Sequence, residues 1–302
     1  MVKLFNYLNN QVFRVVIDNF NEKNVFFNTR GGTGKTTICY NYGWYLAEKR
    51  NKRVLFLDFD PQANLFQAFY KKLASREGKN LENLIVNYVK RQETNFKDYV
   101  IKISSNIDLL PSSNNISLIE EYLTDYLLAR TFGENKIYQA MHRNMIIKKV
   151  LEQYIGPEDY DYVIIDSQPN YSLLSTTSII YAKNIIMVLK PELFSYLDVK
   201  YLKKIITNLE GKFSVKVNIA AVIINAYEKR RITSENISAK FVNKYSETFN
   251  IINQKIRYLS HYQLSISLNR QPVFISFPGS EASLDLLNAF NEVDKLVDDI
   301  EP

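Results

Sequence analysis

The residues best suited to chemistry sit in one short run, FFNTRGGTGKTT, residues 26–37. Gly31, Gly32 and Gly34 let the backbone turn tightly and aim its N–H groups at phosphate oxygens. Lys35 supplies a countercharge for phosphates, and the Thr36 hydroxyl suits a divalent cation. Thr33 and Thr37 are the remaining polar residues of the loop and the helix start. The common phosphate loop reads G-x-x-x-x-G-K-[ST]. Counting back from Gly34 puts Thr29 where the first glycine belongs, and Arg30 stands just ahead of the glycine pair.

Carboxylates follow in two further runs. VLFLDFDPQ carries Asp58 and Asp60, and YDYVIIDSQP carries Asp166, each after a β-branched or aromatic apolar segment. The carboxyl ends of strands are where open α/β sheets bind ligands. Asp166 has the form of an aspartate that holds a Mg²⁺ ion through water. An aspartate at a strand end is also a common helix cap, so the weight lies in the three motifs taken in order.

These groups need a scaffold that brings strand ends together. Continuous apolar runs predict strands at 25–28, 54–58, 107–110, 162–165, 185–189 and 217–224, and a further candidate at 252–256. Amphipathic stretches between them predict helices at 35–49, 65–73, 81–90, 117–128, 136–154, 173–181, 197–209, 233–248 and 283–297. Strand–helix alternation of this kind gives an α/β fold with a doubly wound, mainly parallel sheet flanked by helices. A short N-terminal extension, residues 1–23, is expected to precede one domain over 24–302, and VFRVVI within the extension is a candidate edge strand.

Composition narrows the class. Apolar residues make up 46% and charged residues 23%, as in ordinary soluble globular chains. The longest apolar runs, such as IAAVII, fall short of the roughly 18–20 residues of a bilayer span. No basic, apolar, small-residue leader pattern follows Met1, so a cytoplasmic setting is expected. The single cysteine, Cys39, excludes an internal disulfide and a cysteine-cluster metal site. Charge is uneven: residues 200–270 hold 13 Lys/Arg against 4 Glu, whereas residues 281–302 hold 7 acidic residues against Lys295.

The sequence resembles the ParA branch of the deviant Walker A ATPases, which also contains MinD and the nitrogenase iron protein. Residues 30–37, RGGTGKTT, resemble that family's K-G-G-x-G-K-[ST] loop. DFDPQAN at 58–64 is similar to its second motif, and YDYVIIDSQP to its third. Weaker likeness runs through NIDLLPSS, IIMVLKPELFSYLDVKYL, VIINAY and NRQPVF, so the resemblance covers about residues 24–297. The family's missing first glycine is shared, which answers the irregular spacing. The chain departs from the pattern at Arg30, where the family has lysine, and at Gln168, where it usually has proline.

The resemblance implies a P-loop nucleoside triphosphatase fold, with ATP and Mg²⁺ as ligands. By position, Lys35 neutralises the phosphates, and Gly31, Gly32, Thr33, Gly34, Thr36 and Thr37 line them. Thr36, Asp58 and Asp166 serve the metal, and Asp60 orients the attacking water. Asn225, at the end of VIIN, reads the adenine edge; an asparagine there is also a common turn residue. Arg30 takes the place of the residue that reaches across an ATP-bound homodimer to the partner's phosphates, and Arg and Lys are not interchangeable at such a site.

Within the family, one cysteine excludes the iron–sulfur branches. The acidic C-terminal stretch does not suit an anionic membrane, so no membrane partner is expected. The basic stretch suits non-specific duplex DNA through Lys229, Arg230, Arg231, Lys255, Arg257 and Arg270. A DNA-segregation ATPase stimulated by a ParB-like centromere-binding protein, and associated with the nucleoid, is the expectation. The alternatives are an ATP-locked, non-catalytic scaffold and a positioning ATPase for a cargo other than DNA.

Overall fold

The computed structural model describes residues 22–70, 78–129, 136–229 and 231–298. The VFRVVI candidate strand and Arg230 lie outside the described residues. One seven-stranded sheet organises the chain: β1 (Glu22–Phe27), β2 (Val54–Phe59), β3 (Ile101–Lys102), β4 (Ile107–Leu110), β5 (Tyr162–Ser167), β6 (Asn184–Leu189) and β7 (Asn218–Ile224), in the order β3-β4-β2-β5-β1-β6-β7. Every pairing is parallel except β3 with β4. The expected boundary after residue 23 falls inside β1.

The helices are α1 (Lys35–Arg50), α2 (Asn64–Phe69), α3 (Leu81–Val89), α4 (Ile119–Leu128), α5 (Lys136–Tyr154), α6 (Leu173–Ala182), α7 (Ser195–Phe213), α8 (Ile232–Tyr245), α9 (His261–Leu264), α10 (Val273–Ser276) and α11 (Glu281–Asp298). They cover both faces, which is why β2 and β5 are buried along their whole length and read as unbroken apolar runs. Phe26, Phe56 and Ile164 face α1, α2 and α11. Val25, Phe27, Leu55 and Ile165 face the layer of α3 to α8. Gly43 brings α1 close to β2, because a Cβ there would lie 2.0 Å from the Phe56 ring. On α11, Ala282, Leu286, Ala289, Phe290, Val293 and Val297 form the buried stripe, and Asp285 and Asp294 are buried beside it in ion pairs with Arg257 and Arg50.

Three segments differ from expectation, the first being β3, which is not among the expected strands. Residues 252–256 do not form a strand. Ile252 N–H and Ile256 N–H pair with Val222 and Ile224 carbonyls at 3.1 and 2.9 Å, but between them the amides of Asn253 and Gln254 turn to the Glu292 carboxylate at 2.6 and 3.1 Å. A helix side chain thus takes the donors that a ladder would need. Residues 261–277 fold as α9, a wide turn at Ser265–Asn269, and α10, packed beside α2. Among the described residues, no helix is long and apolar enough to cross a membrane.

The chain leaves β1 for β2 on one side and leaves β5 for β6 on the other. Such a reversal opens a crevice at the carboxyl ends of the strands. The glycine loop, Asp58, Asp60 and Asp166 all follow or end strands there.

Candidate active site

The loop after β1 is tied down at its start. Asn28 donates from Nδ2 to the Val188 carbonyl at 2.8 Å, and its Oδ1 accepts the Arg30 N–H at 3.1 Å. Gly34 begins α1 with φ 89°, and a Cβ there would lie 2.2 Å from Asn225 Nδ2, so both backbone and space require glycine. No side chain caps α1. Its first amides and its positive end therefore face the crevice, an anion site by construction.

Lys35 is buried, and its Nζ donates to the Arg30 carbonyl at 3.2 Å. Burial lowers its pKa; Asp166 and Asp60 oppose that shift and favour the charged ammonium. The Thr36 hydroxyl donates to Asp166 Oδ2 at 2.7 Å, while Asp166 Oδ1 has no partner among the described residues. Asp58 and Asp166 are register partners on adjacent strands, both buried completely. Burial pushes the Asp166 carboxyl up to about 7 and raises Asp58 well above the usual range, with the neighbouring Asp166 adding to the effect at Asp58.

These are the surroundings a hard divalent cation would relieve: buried carboxylates, an orphan oxygen and a threonine hydroxyl. Among the described residues, no three His, Cys, Asp or Glu side chains stand close enough to hold a metal by themselves. The donor set fits an ion ligated by Thr36, by phosphate and by water, with Asp166 behind the water shell. Asp58 is also structural, because its oxygens accept the Asp60 and Phe66 amides, each at 3.1 Å. Asp60 Oδ1 accepts the Gln62 amide at 2.9 Å.

A cleft of about 820 Å³ joins these parts, within the size range of small-molecule pockets. Gly31, Gly32, Gly34, Lys35, Thr36 and Thr37 form its floor and Asp60 one wall. Thr33 is buried in the loop. Residues that the sequence reasoning did not single out for binding complete the cleft: Gln62, Asn64, Gln168, Asn170, Tyr262 and Gln263. Of the first four, Gln62 and Gln168 belong to the DPQ and DSQP motifs and Asn64 and Asn170 follow them closely, a signal within reach of the sequence. The last two come from a segment with no regular period. Asn225 is committed to the loop, its Nδ2 donating to the Thr33 carbonyl at 2.8 Å.

Arg30 points away from Lys35. Its Nε lies 3.1 Å from Asp198 Oδ1 on α7, and its guanidinium stands 5.0 Å from the Phe194 ring centre. The basic residues separate into two kinds. Lys229 and Arg231 are exposed, and Arg231 pairs with Glu228 at 3.2 Å. Arg257 is locked between Glu281 and Asp285 of α11 at 2.6 and 2.8 Å. Arg270 donates to the Gln67 carbonyl, and Lys255 stands 3.5 Å from Glu235 and 4.8 Å from the Tyr227 ring centre. The acidic C-terminal helix thus neutralises part of the basic stretch inside the fold.

Comparison with known proteins adds four findings. A family model described as an AAA domain matches residues 22–220. The virulence plasmid ParA family protein pGP5-D of Chlamydia muridarum is 30% identical over 279 residues, covering 90% of this chain and 92% of its own. Among solved structures, an ATP complex of a McdA variant from Cyanothece superposes with a TM-score of 0.73 at 22% identity, covering 93% and 97%. A cobyrinic acid a,c-diamide synthase from Mycobacterium smegmatis with bound ADP and magnesium gives 0.66 at 19%, covering 92% and 94%. That the last has another named activity shows how little the fold alone says of the reaction.

Proposed function

The chain belongs to the ParA family of P-loop ATPases, and from that premise we propose that it is a Mg²⁺-dependent partition ATPase. ATP binding pairs two copies face to face, the pair binds duplex DNA without sequence preference, and a centromere-binding partner of ParB type stimulates hydrolysis. The observation that carries this reading is the convergence of Lys35, Thr36, Asp60 and Asp166 on one uncapped helix start at the sheet's carboxyl edge. Lys35 and the loop amides hold the phosphates, Thr36 and Asp166 serve the cation, and Asp60 orients the attacking water. Asp58 supports the cation's shell and the turn that carries Asp60. Bound nucleotides in the two fold neighbours, and magnesium in one, support the choice of ligands.

The test is steady-state phosphate release with and without Mg²⁺, duplex DNA and partner, in the wild-type chain and in Asp60→Ala. Asp60→Ala is expected to bind ATP and dimerise but not turn over. Normal hydrolysis by that variant would remove Asp60 from the mechanism.

A second reading has one observation in its favour. Arg30, in place of the family's lysine, is ion-paired within its own chain. If that pair persists with ATP bound, the protein is an ATP-locked scaffold, which binds ATP without measurable turnover.

A further inference from the structure

We propose that Gln168 is a catalytic residue of the ATPase reaction, supplying a second acceptor for the attacking water beside Asp60; this rests on the ATPase reading above. The resemblance gives no such role to this position, where the family usually carries proline, a residue with no side-chain acceptor.

Register brings the two residues together. β2 and β5 run parallel, with Asp58 opposite Asp166 and Phe59 opposite Ser167. Asp60 and Gln168 are each the next residue beyond the last registered pair, and both line the cleft with Lys35. Pro169 then lies over the glycine loop, 3.9 Å from where a Gly31 Cβ would stand.

Hydrogen-bond direction fixes which end of the amide is free. Ser175 Oγ donates to the Asn170 carbonyl at 2.7 Å, so its lone pairs are left to accept. Ser172 Oγ donates to Ser175 Oγ at 3.1 Å and accepts the Ser175 amide at 3.2 Å. The remaining contact of Ser172 Oγ is with Gln168, and there it acts as acceptor, so the amide nitrogen of Gln168 is the donor. Gln168 Oε1 takes no hydrogen bond from the described residues. A reversed amide would need the Ser172 proton for Oε1 and would give up the Ser172–Ser175 hydroxyl bond.

An acceptor in a phosphate cleft is repelled by phosphate oxygens and needs a donor between. Water is that donor. It offers two O–H groups, one to an Asp60 oxygen and one to Gln168 Oε1, which together fix its lone pair. The water oxygen bonds to the γ-phosphorus as the bond from that phosphorus to the β–γ bridging oxygen breaks. The bonding pair leaves on ADP, and the proton passes to an oxygen of the released inorganic phosphate. A neutral carboxamide does this without adding negative charge to a site that already holds Asp58, Asp60 and Asp166.

The experiment is single-turnover hydrolysis of ATP·Mg²⁺ together with ATP affinity, in the wild-type chain, Gln168→Ala, Ser172→Ala and the double variant. Gln168→Ala is expected to slow hydrolysis about 10²-fold, the scale of one lost transition-state contact, while affinity stays within about twofold. Ser172→Ala frees the amide to turn and also removes the N-cap of α6, so its melting temperature is measured alongside its rate; it should slow hydrolysis less than Gln168→Ala, and the rate of the double variant should match that of Gln168→Ala because the anchor then holds no amide. Wild-type rate in Gln168→Ala, equal losses of rate and affinity, or additive losses in the double variant would overturn the assignment. A wild-type chain that binds ATP without turnover would overturn both this assignment and the ATPase reading; wild-type turnover with an unaffected Gln168→Ala would overturn this one alone.

Discussion

Arg30 and Asp198 form an ion pair across 168 residues of sequence, Nε to Oδ1 at 3.1 Å, at the edge of the nucleotide cleft. The arginine side chain is 36% exposed and the aspartate 9%. Water screens a pair of this kind, and its contribution is under about 1 kcal/mol. Arg30 is the more exposed member, so it can swing to another anion, but doing so leaves the largely buried Asp198 carboxylate without its cation. Asp198→Asn should lower stability by no more than about 1 kcal/mol by urea denaturation. Arg30→Ala should slow ATP turnover about 10²-fold if Arg30 stabilises transition-state charge in trans, and Arg30→Lys should retain or modestly raise it. Mixed Arg30→Ala and Asp60→Ala subunits should regain part of the activity, since one composite site is then intact. An unchanged rate in Arg30→Ala would place it outside the reaction.

Lys35 carries the next prediction. A buried ammonium, its charge sustained by Asp166 and Asp60, is poised for a polyanion. Lys35→Ala should abolish tight ATP binding, read by titration calorimetry or a fluorescent analogue. Affinity within a few fold of wild type would show that the loop amides suffice.

Asp166 gives a pH dependence of definite sign. Its carboxyl is raised to about 7 in the folded chain, against about 3.9 unfolded. Between these values the folded state holds the extra proton, so this group's contribution to stability falls as pH rises through that window. Without nucleotide, the melting temperature should drop between pH 5 and about 8, and Asp166→Asn should flatten the trend. Mg²⁺ and ATP compete with that proton, so their stabilising effect should grow over the same range. A melting profile in Asp166→Asn that matches the wild type would disprove the assignment.

Much of this site was legible in the chain because its parts are local. A glycine loop, two strand-end carboxylate motifs and their order specify the crevice once the strands run parallel, and apolar runs buried on both faces specify that. What stayed illegible depends on partners distant in sequence. The segment at 252–256 reads as a strand until Glu292 takes its amides. Asn225 reads as an adenine contact or a turn residue, and its additional bond to the Thr33 carbonyl depends on a loop 192 residues away. Arg257 counts as a free positive charge in the sequence, and α11 cancels it.

That cancellation sharpens the DNA prediction. Arg257 donates twice to the carboxylate of Asp285, a side chain 5% exposed, so Arg257→Ala would strand a buried charge and should cost about 2–4 kcal/mol of stability. Its effect on DNA would then be indirect. Lys229 and Arg231 are exposed, and Lys229→Glu with Arg231→Glu should change stability by no more than about 0.5 kcal/mol each. If they contact phosphates, each reversal should flatten the log–log salt slope of duplex binding by about 1 while ATP binding stays intact. If ATP pairs two copies as proposed, the pair would present the basic face twice, and duplex binding should be far tighter with ATP than with ADP or no nucleotide. With about six phosphates neutralised per pair, the slope should be about −5. Sequence should matter little, because phosphate contacts carry no base information. The measurement is a salt titration of duplex binding in the three nucleotide states, run on wild type and both sets of variants. Equal binding in all three states, or strong preference for one duplex sequence, would sink the partition reading. An unchanged slope in the Lys229 and Arg231 variants would remove these two residues from the DNA face.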